Sequence, residues 1–86
     1  MTKQEKYQEI NRMFYTFCEE RGFSVSDEGF GDWVVTKNGS THHSESFRVS
    51  RNTYHIPVQF TEDDKTLEFA KKLEVFLHDL QRMFEI

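Results

Sequence analysis

The hydrophobic period of this chain changes twice, from helical to alternating and back to helical, and few folds accommodate that order. The first segment opens on Thr2, followed three residues later by Glu5. This is the spacing of a capping box, in which each side chain satisfies the other residue's free backbone N–H. Tyr7, Ile10, Phe14, Phe17 and Cys18 then recur at three- and four-residue intervals and make one apolar stripe. Gly22 can take the left-handed conformation that ends a helix, and Phe23 can fold back on the last turn. The pattern predicts a helix over 3–21.

The middle of the chain reads differently. "FSVSDEGFGDWVVTK" is rich in β-branched and aromatic residues and is interrupted by Asp27-Glu28-Gly29 and Gly31. It is expected to supply the first strand. "SESFRVS" sets Phe47 and Val49 on one face and Ser46, Arg48 and Ser50 on the other, as a second strand. "TYHIPVQF" alternates more regularly, with Tyr54, Ile56, Val58 and Phe60 opposite Thr53, His55, Pro57 and Gln59. It is expected to be the third strand, at a sheet edge because Pro57 has no N–H to donate. Asn38-Gly39 suits a tight type I′ hairpin, and Arg51-Asn52 suits a second turn.

Period 3.6 returns after Thr61, expected to be the N-cap, with Glu62, Asp63 and Asp64 in the positive first turn. Phe69, Ala70, Leu73, Phe76, Leu77, Leu80, Met83 and Phe84 span an arc of roughly 140°, wider than packing on one neighbour needs. Leu67, Val75 and His78 fall outside it. The expected fold is α+β: an α-β-β-β-α chain in which a three-stranded antiparallel meander is packed on one face by two helices. Phe14, Phe17, Ile56, Val58, Leu73 and Leu80 are the expected meeting points of helix and sheet. The 86 residues make a single domain over 1–86, and nine Phe, three Tyr and one Trp give so small a core its area.

The element order resembles that of the double-stranded-RNA-binding domain in topology alone. That family begins its second helix with a lysine cluster that meets phosphates, whereas "TEDDKTLEF" is acidic here and Lys71-Lys72 come later. The resemblance carries over no residue, and no family is assigned from the sequence.

Several functional classes lose support in the residues themselves. No apolar run approaches the roughly 18 residues of a membrane span, and "MTKQEKYQEI" has no signal-peptide core. The single cysteine, Cys18, forms no internal disulfide and suits a reducing compartment, so a cytoplasmic protein is expected. Cys18 lies on the apolar stripe, where a small buried residue is the ordinary occupant. Gly29 and Gly31 do not form a strand-to-helix phosphate loop. The acid pairs Glu19-Glu20 and Asp27-Glu28 are sequence neighbours rather than carboxylates opposed across a cleft. His42 and His43 are adjacent, so on a strand they point to opposite faces. His43, Glu45 and His55 remain the candidate metal ligands if the second and third strands bring them together. We assign no catalytic residue, no cofactor and no metal, and expect a non-enzymatic protein.

Charge is segregated along the chain. Residues 1–32 carry four basic and seven acidic side chains, and residues 61–86 carry the same numbers, a net of −3 each. Residues 33–60 set Lys37, Arg48 and Arg51 against Glu45, a net of +2, which brings the whole chain to −4. Ser46, Arg48, Ser50, Thr53, His55 and Gln59 are expected on an uncovered sheet face, where Arg48 and His55 could meet an acidic group or a phosphate. Either Trp33 or Val34 faces the core, and an exposed Trp33 would anchor an interface.

The preferred expectation is a small cytoplasmic protein-binding module, an adaptor, antagonist or inhibitor of a larger protein, whose partner no residue identifies. A phage or mobile-element origin is compatible with it. Its expected interface residues are Trp33, Arg48, His55, Phe76, Met83 and Phe84. Helix two is expected either to form a homodimer contact or to offer its apolar flank to the partner. A nucleic-acid-binding module using the open sheet face comes second, and a metal-dependent or other small enzyme third.

Overall fold

The computed structural model describes residues 1–27, 32–51, 53–57 and 62–85, with His43 by its backbone alone. Its elements follow the order α1 (Lys3–Glu20), β1 (Phe23–Asp27), β2 (Asp32–Lys37), a 3-10 turn (His43–Glu45), β3 (Ser46–Ser50) and α2 (Asp64–Met83). This is the expected α+β chain of two helices and a three-stranded antiparallel sheet, in strand order β1-β2-β3.

α1 begins as its sequence dictates. The Glu5 N–H donates to Thr2 Oγ1 at 3.1 Å, and the Thr2 N–H donates to Glu5 Oε1 at 3.3 Å. Gly22 takes φ +82° and ends the helix, its N–H donating to the Glu19 carbonyl at 3.2 Å. Phe23 is buried, with its ring stacked on Phe69 of α2 at 4.0 Å.

The strands are three, but they are not the three expected. The 23–37 stretch supplies both β1 and β2, paired in the register Val25 opposite Val35 and Asp27 opposite Trp33. β3 pairs with β2, setting Val35 opposite Phe47 and Trp33 opposite Val49. Residues 53–57, expected in the third strand, join no ladder. Tyr54 takes φ +56°, a left-handed conformation that a strand cannot hold. The Tyr54 N–H instead donates back to the Ser50 carbonyl at 2.8 Å, and the Ser50 N–H donates to the His55 carbonyl at 2.9 Å. Tyr54 and Ile56 are nevertheless buried while Thr53, His55 and Pro57 are exposed. The alternation therefore marked burial, not strand pairing. Val58, Gln59 and Phe60 lie outside the described residues.

Two turn assignments change as well. The Asn38-Gly39 turn has positive φ only at Gly39 (+81°), the pattern of a type II turn; type I′ needs it at both positions. It closes through the Ser40 N–H to the Lys37 carbonyl at 3.0 Å and leads into an eight-residue connection, 38–45, between β2 and β3. The N-cap of α2 is Asp63 rather than Thr61, which lies outside the described residues. The Asp63 carboxylate accepts from the Thr66 N–H at 2.9 Å and from Thr66 Oγ1 at 2.8 Å, which lets Thr66 be fully buried. Those two hydrogen bonds hold the Asp63 carboxyl below its ordinary value.

One face of the sheet forms the core with both helices. Trp33, Val35, Phe47 and Val49 pack with Ile10, Phe14 and Cys18 of α1 and with Leu73, Leu77 and Leu80 of α2. Phe69 joins the layers, stacking on Phe23 and lying 5.9 Å from Phe17 and 6.1 Å from Phe47. Of the expected core positions, Phe14, Ile56, Leu73 and Leu80 are buried, and Phe17 is half-buried. No helix among the described residues is long and apolar enough to cross a membrane.

Candidate functional site

The register assigns the open face of the sheet residue by residue. Ser24, Ser26, Asp32, Val34, Thr36, Ser46, Arg48 and Ser50 share it, because residues directly opposite in a ladder point the same way. Trp33 therefore lies on the core side, 3% exposed, and Val34 on the open side. At that exposure Trp33 offers a protein partner little area outside a cavity it helps to line. Thr53 and His55 are exposed but belong to the stretch after β3, so the face is smaller than the sequence suggested. Arg48 is its one cation among the described residues, and Asp32 on the neighbouring strand lies 3.9 Å away.

Arg48 is typical of the middle segment. Lys37 pairs with Glu45 at 3.2 Å, and Arg51 pairs with Asp27. All three cations that made 33–60 locally basic thus have acidic partners, two of them drawn from the N-terminal segment. The sequence could not show this, because the pairing crosses the sheet.

The histidine-rich connection does not assemble a metal site among the described residues, where no group of three or more His, Cys, Asp or Glu is placed to hold an ion. Glu45 is engaged by Lys37, and His55 lies beyond β3. The imidazole of His43 is outside the described structure. Cys18 is fully buried, and desolvation pushes its thiol up to about 12, so it is held as the protonated, unreactive form.

The apolar arc of α2 divides into a covered centre and one open flank. Phe69, Ala70, Leu73, Leu77 and Leu80 are buried. Phe76 is half-buried and stacks on Phe17 of α1 at 4.1 Å. Met83, two helical turns further along the same flank, is 66% exposed. Beside Phe76 lies a groove of about 510 Å3 whose apolar lining is Met13, Phe17 and Phe76 and whose rim includes Arg12, Glu20 and Arg21. Arg21 lies over the Phe17 ring at 3.7 Å, and Arg12 is paired with Glu9, so the rim is locally balanced. Phe84, at the C-cap, is half-buried against the core rather than free. Val75, 62% exposed, stands apart from this flank on the outer side of α2.

Protein-family models, curated proteins and solved structures offer no match to this chain. The surfaces must speak for themselves. Sequence reasoning singled out Phe76 and Met83 from the width of the arc, but not Met13, which lines the groove beside Phe76. On α1 that residue looks like one more spacer, and only the packing of α1 beside α2 brings it to the groove.

Proposed function

We propose that this chain is a non-enzymatic protein-binding module that docks its partner along the open flank between α1 and α2. The observation that carries the reading is the apolar lining of the groove, Met13, Phe17 and the half-buried Phe76, with the exposed Met83 two turns beyond Phe76 on the same side of α2. Apolar surface of this kind, rimmed by charge, supports an interface. The occupant is a different protein that sets apolar side chains into the groove, whose own rim is balanced, and carries basic residues beyond them. α2 itself is balanced, with four acidic and four basic residues over Asp64–Met83, but residues 1–32 and 61–86 each carry a net of −3, a field that attracts a basic partner and opposes a second copy of the acidic chain.

The same charge map weakens the nucleic-acid reading. Phosphate binders show basic stripes, and here Lys37, Arg48 and Arg51 each have a carboxylate beside them. The protonated Cys18 thiol and the engagement of Glu45 by Lys37 likewise favour binding over catalysis.

The test uses the full chain as bait in extract of its native cell, beside a Met83→Glu variant, with oligonucleotide binding measured in parallel. A partner retained by the wild type and lost with Met83→Glu, at unchanged thermal stability, supports the reading. Equal retention by the variant, or oligonucleotide affinity that falls steeply with salt, overturns it. A dimer in light scattering that Met83→Glu dissolves makes the occupant a second copy instead.

A further inference from the structure

A second concavity lies away from that groove, where the N-terminal half of α1 meets the loop after β3. It encloses about 280 Å3 and is lined by Lys3, Tyr7, Asn11, Trp33, Arg51 and Tyr54. We propose that this cavity binds a small oxyanion, a carboxylate or phosphate carried by a small molecule.

The argument rests on what the lining can offer. The Tyr54 hydroxyl donates to Asn11 Oδ1 at 2.8 Å, which occupies the acceptor end of the amide and leaves its two N–H groups to give. Lys3 and Arg51 are donors only, as is the indole of Trp33. The Tyr7 hydroxyl can serve as a donor as well. Apart from the tyrosine hydroxyl oxygens, of which that of Tyr54 can only accept once its proton is given to Asn11, the polar lining consists of donors, which suits a ligand that mainly accepts. Carboxylate and phosphate oxygens do that, and charged acceptors form the stronger hydrogen bonds.

Electrostatics agree. Arg51 stays one-third exposed at the cavity, with its guanidinium over the Trp33 ring at 5.2 Å. One of its terminal nitrogens meets Asp27, while its Nε is buried without a hydrogen-bond partner among the described residues. The Lys3 ammonium stands 6.0 Å from the centre of the Tyr7 ring. Among the described residues two cations stand against one carboxylate at the cavity, within a chain of net charge −4.

The backbone is also held in place at a cost. Tyr54 is a bulky residue at φ +56°, 1% exposed, stacked on Trp33 at 5.7 Å and on Tyr7 at 6.5 Å. Left-handed conformations of such residues persist only where surroundings over-determine them, and they concentrate at binding sites. Here the strained residue carries the hydroxyl that fixes the Asn11 amide. At about 280 Å3 the cavity suits a molecule of a few heavy atoms and not a nucleotide.

The experiment titrates the 15N-labelled full chain with inorganic phosphate in one arm and propionate in the other, against chloride at matched ionic strength. The readouts are the Trp33 indole N–H and the Asn11 side-chain amide, with fluorescence of the single tryptophan as a second signal. Saturable shifts confined to these groups are expected with at least one anion, and the arm that saturates identifies the source. Lys3→Gln removes one charge at an exposed position and should weaken binding by ~10-fold, the loss of one charge-assisted hydrogen bond. Asn11→Asp keeps the acceptor for Tyr54 but replaces the donors with a carboxylate, so it should abolish binding while the fold persists. Shifts no different from those in chloride, or undiminished binding by both Lys3→Gln and Asn11→Asp, overturn the proposal.

Discussion

Truncating Leu73 to Ala tests the register of α2, on which both the core and the proposed docking flank depend. Leu73 is fully buried, with Ala70 and Leu77 equally buried on the same helix face. Removing three buried carbons at ~0.8 kcal/mol each forfeits about 2.4 kcal/mol of transfer free energy. The cavity left behind raises the loss to about 3–5 kcal/mol, because a fully enclosed site bounded by sheet and helix relaxes only in part. A domain of 86 residues has roughly 4–13 kcal/mol of stability in total. Leu73→Ala should therefore lower Tm by roughly 12–40 °C, at ~4–8 °C per kcal/mol. Urea titration followed by circular dichroism measures the loss directly, with an unchanged m-value showing that the native and unfolded states keep their extent. Val75→Ala is the paired control. At 62% exposure two positions along the helix, it should be neutral within ~0.5 kcal/mol. A loss under about 0.5 kcal/mol at Leu73, or a larger loss at Val75 than at Leu73, would refute the assigned helix face.

Other consequences can be checked one by one. Tyr54→Phe removes the hydroxyl that donates to Asn11 and should cost about 1 kcal/mol, a fall in Tm of ~4–8 °C. Once Asn11 is Ala, the same change should cost measurably less, and an unaltered cost in that double-mutant cycle would show the hydrogen bond to be unimportant. Cys18 should resist alkylation by iodoacetamide at pH 8 in the folded protein and react at full rate in urea, because burial raises its thiol to about 12. Rapid labelling under native conditions would place it at the surface. The Asp63 carboxyl is held below its ordinary value of 3.8 by its bonds to Thr66. Its contribution to stability is thus fully present above that value and lost as pH falls through the lower folded-state pKa. Urea midpoints between pH 5 and pH 2 should decline less steeply for Asp63→Asn than for the wild type, and parallel curves would count against the cap.

What the sequence settled by itself were features governed by neighbours within a turn or two. The capping box of Thr2 and Glu5, the stripe Ile10–Phe14–Cys18, the stop at Gly22 and the buried face of α2 follow from local geometry and the 3.6-residue period. Burial was also legible in the loop, since Tyr54 and Ile56 are inside and His55 and Pro57 outside as alternation required. The identity of the strands was not. Period-two alternation reports which side chains leave water, but says nothing of whether the backbone finds a ladder partner. The tertiary structure paired β1 with β2 and left 53–57 outside any strand, with Tyr54 at positive φ. It likewise placed Asp27 and Asp32 beside Arg51 and Arg48, which cancelled a basic patch that counting charges along the chain had suggested. The cavity at Arg51 gathers residues from positions 3 to 54, and Met13 and Phe17 meet Phe76 across some sixty residues of chain. Such meetings depend on how the helices dock on the sheet, which no window of local sequence contains.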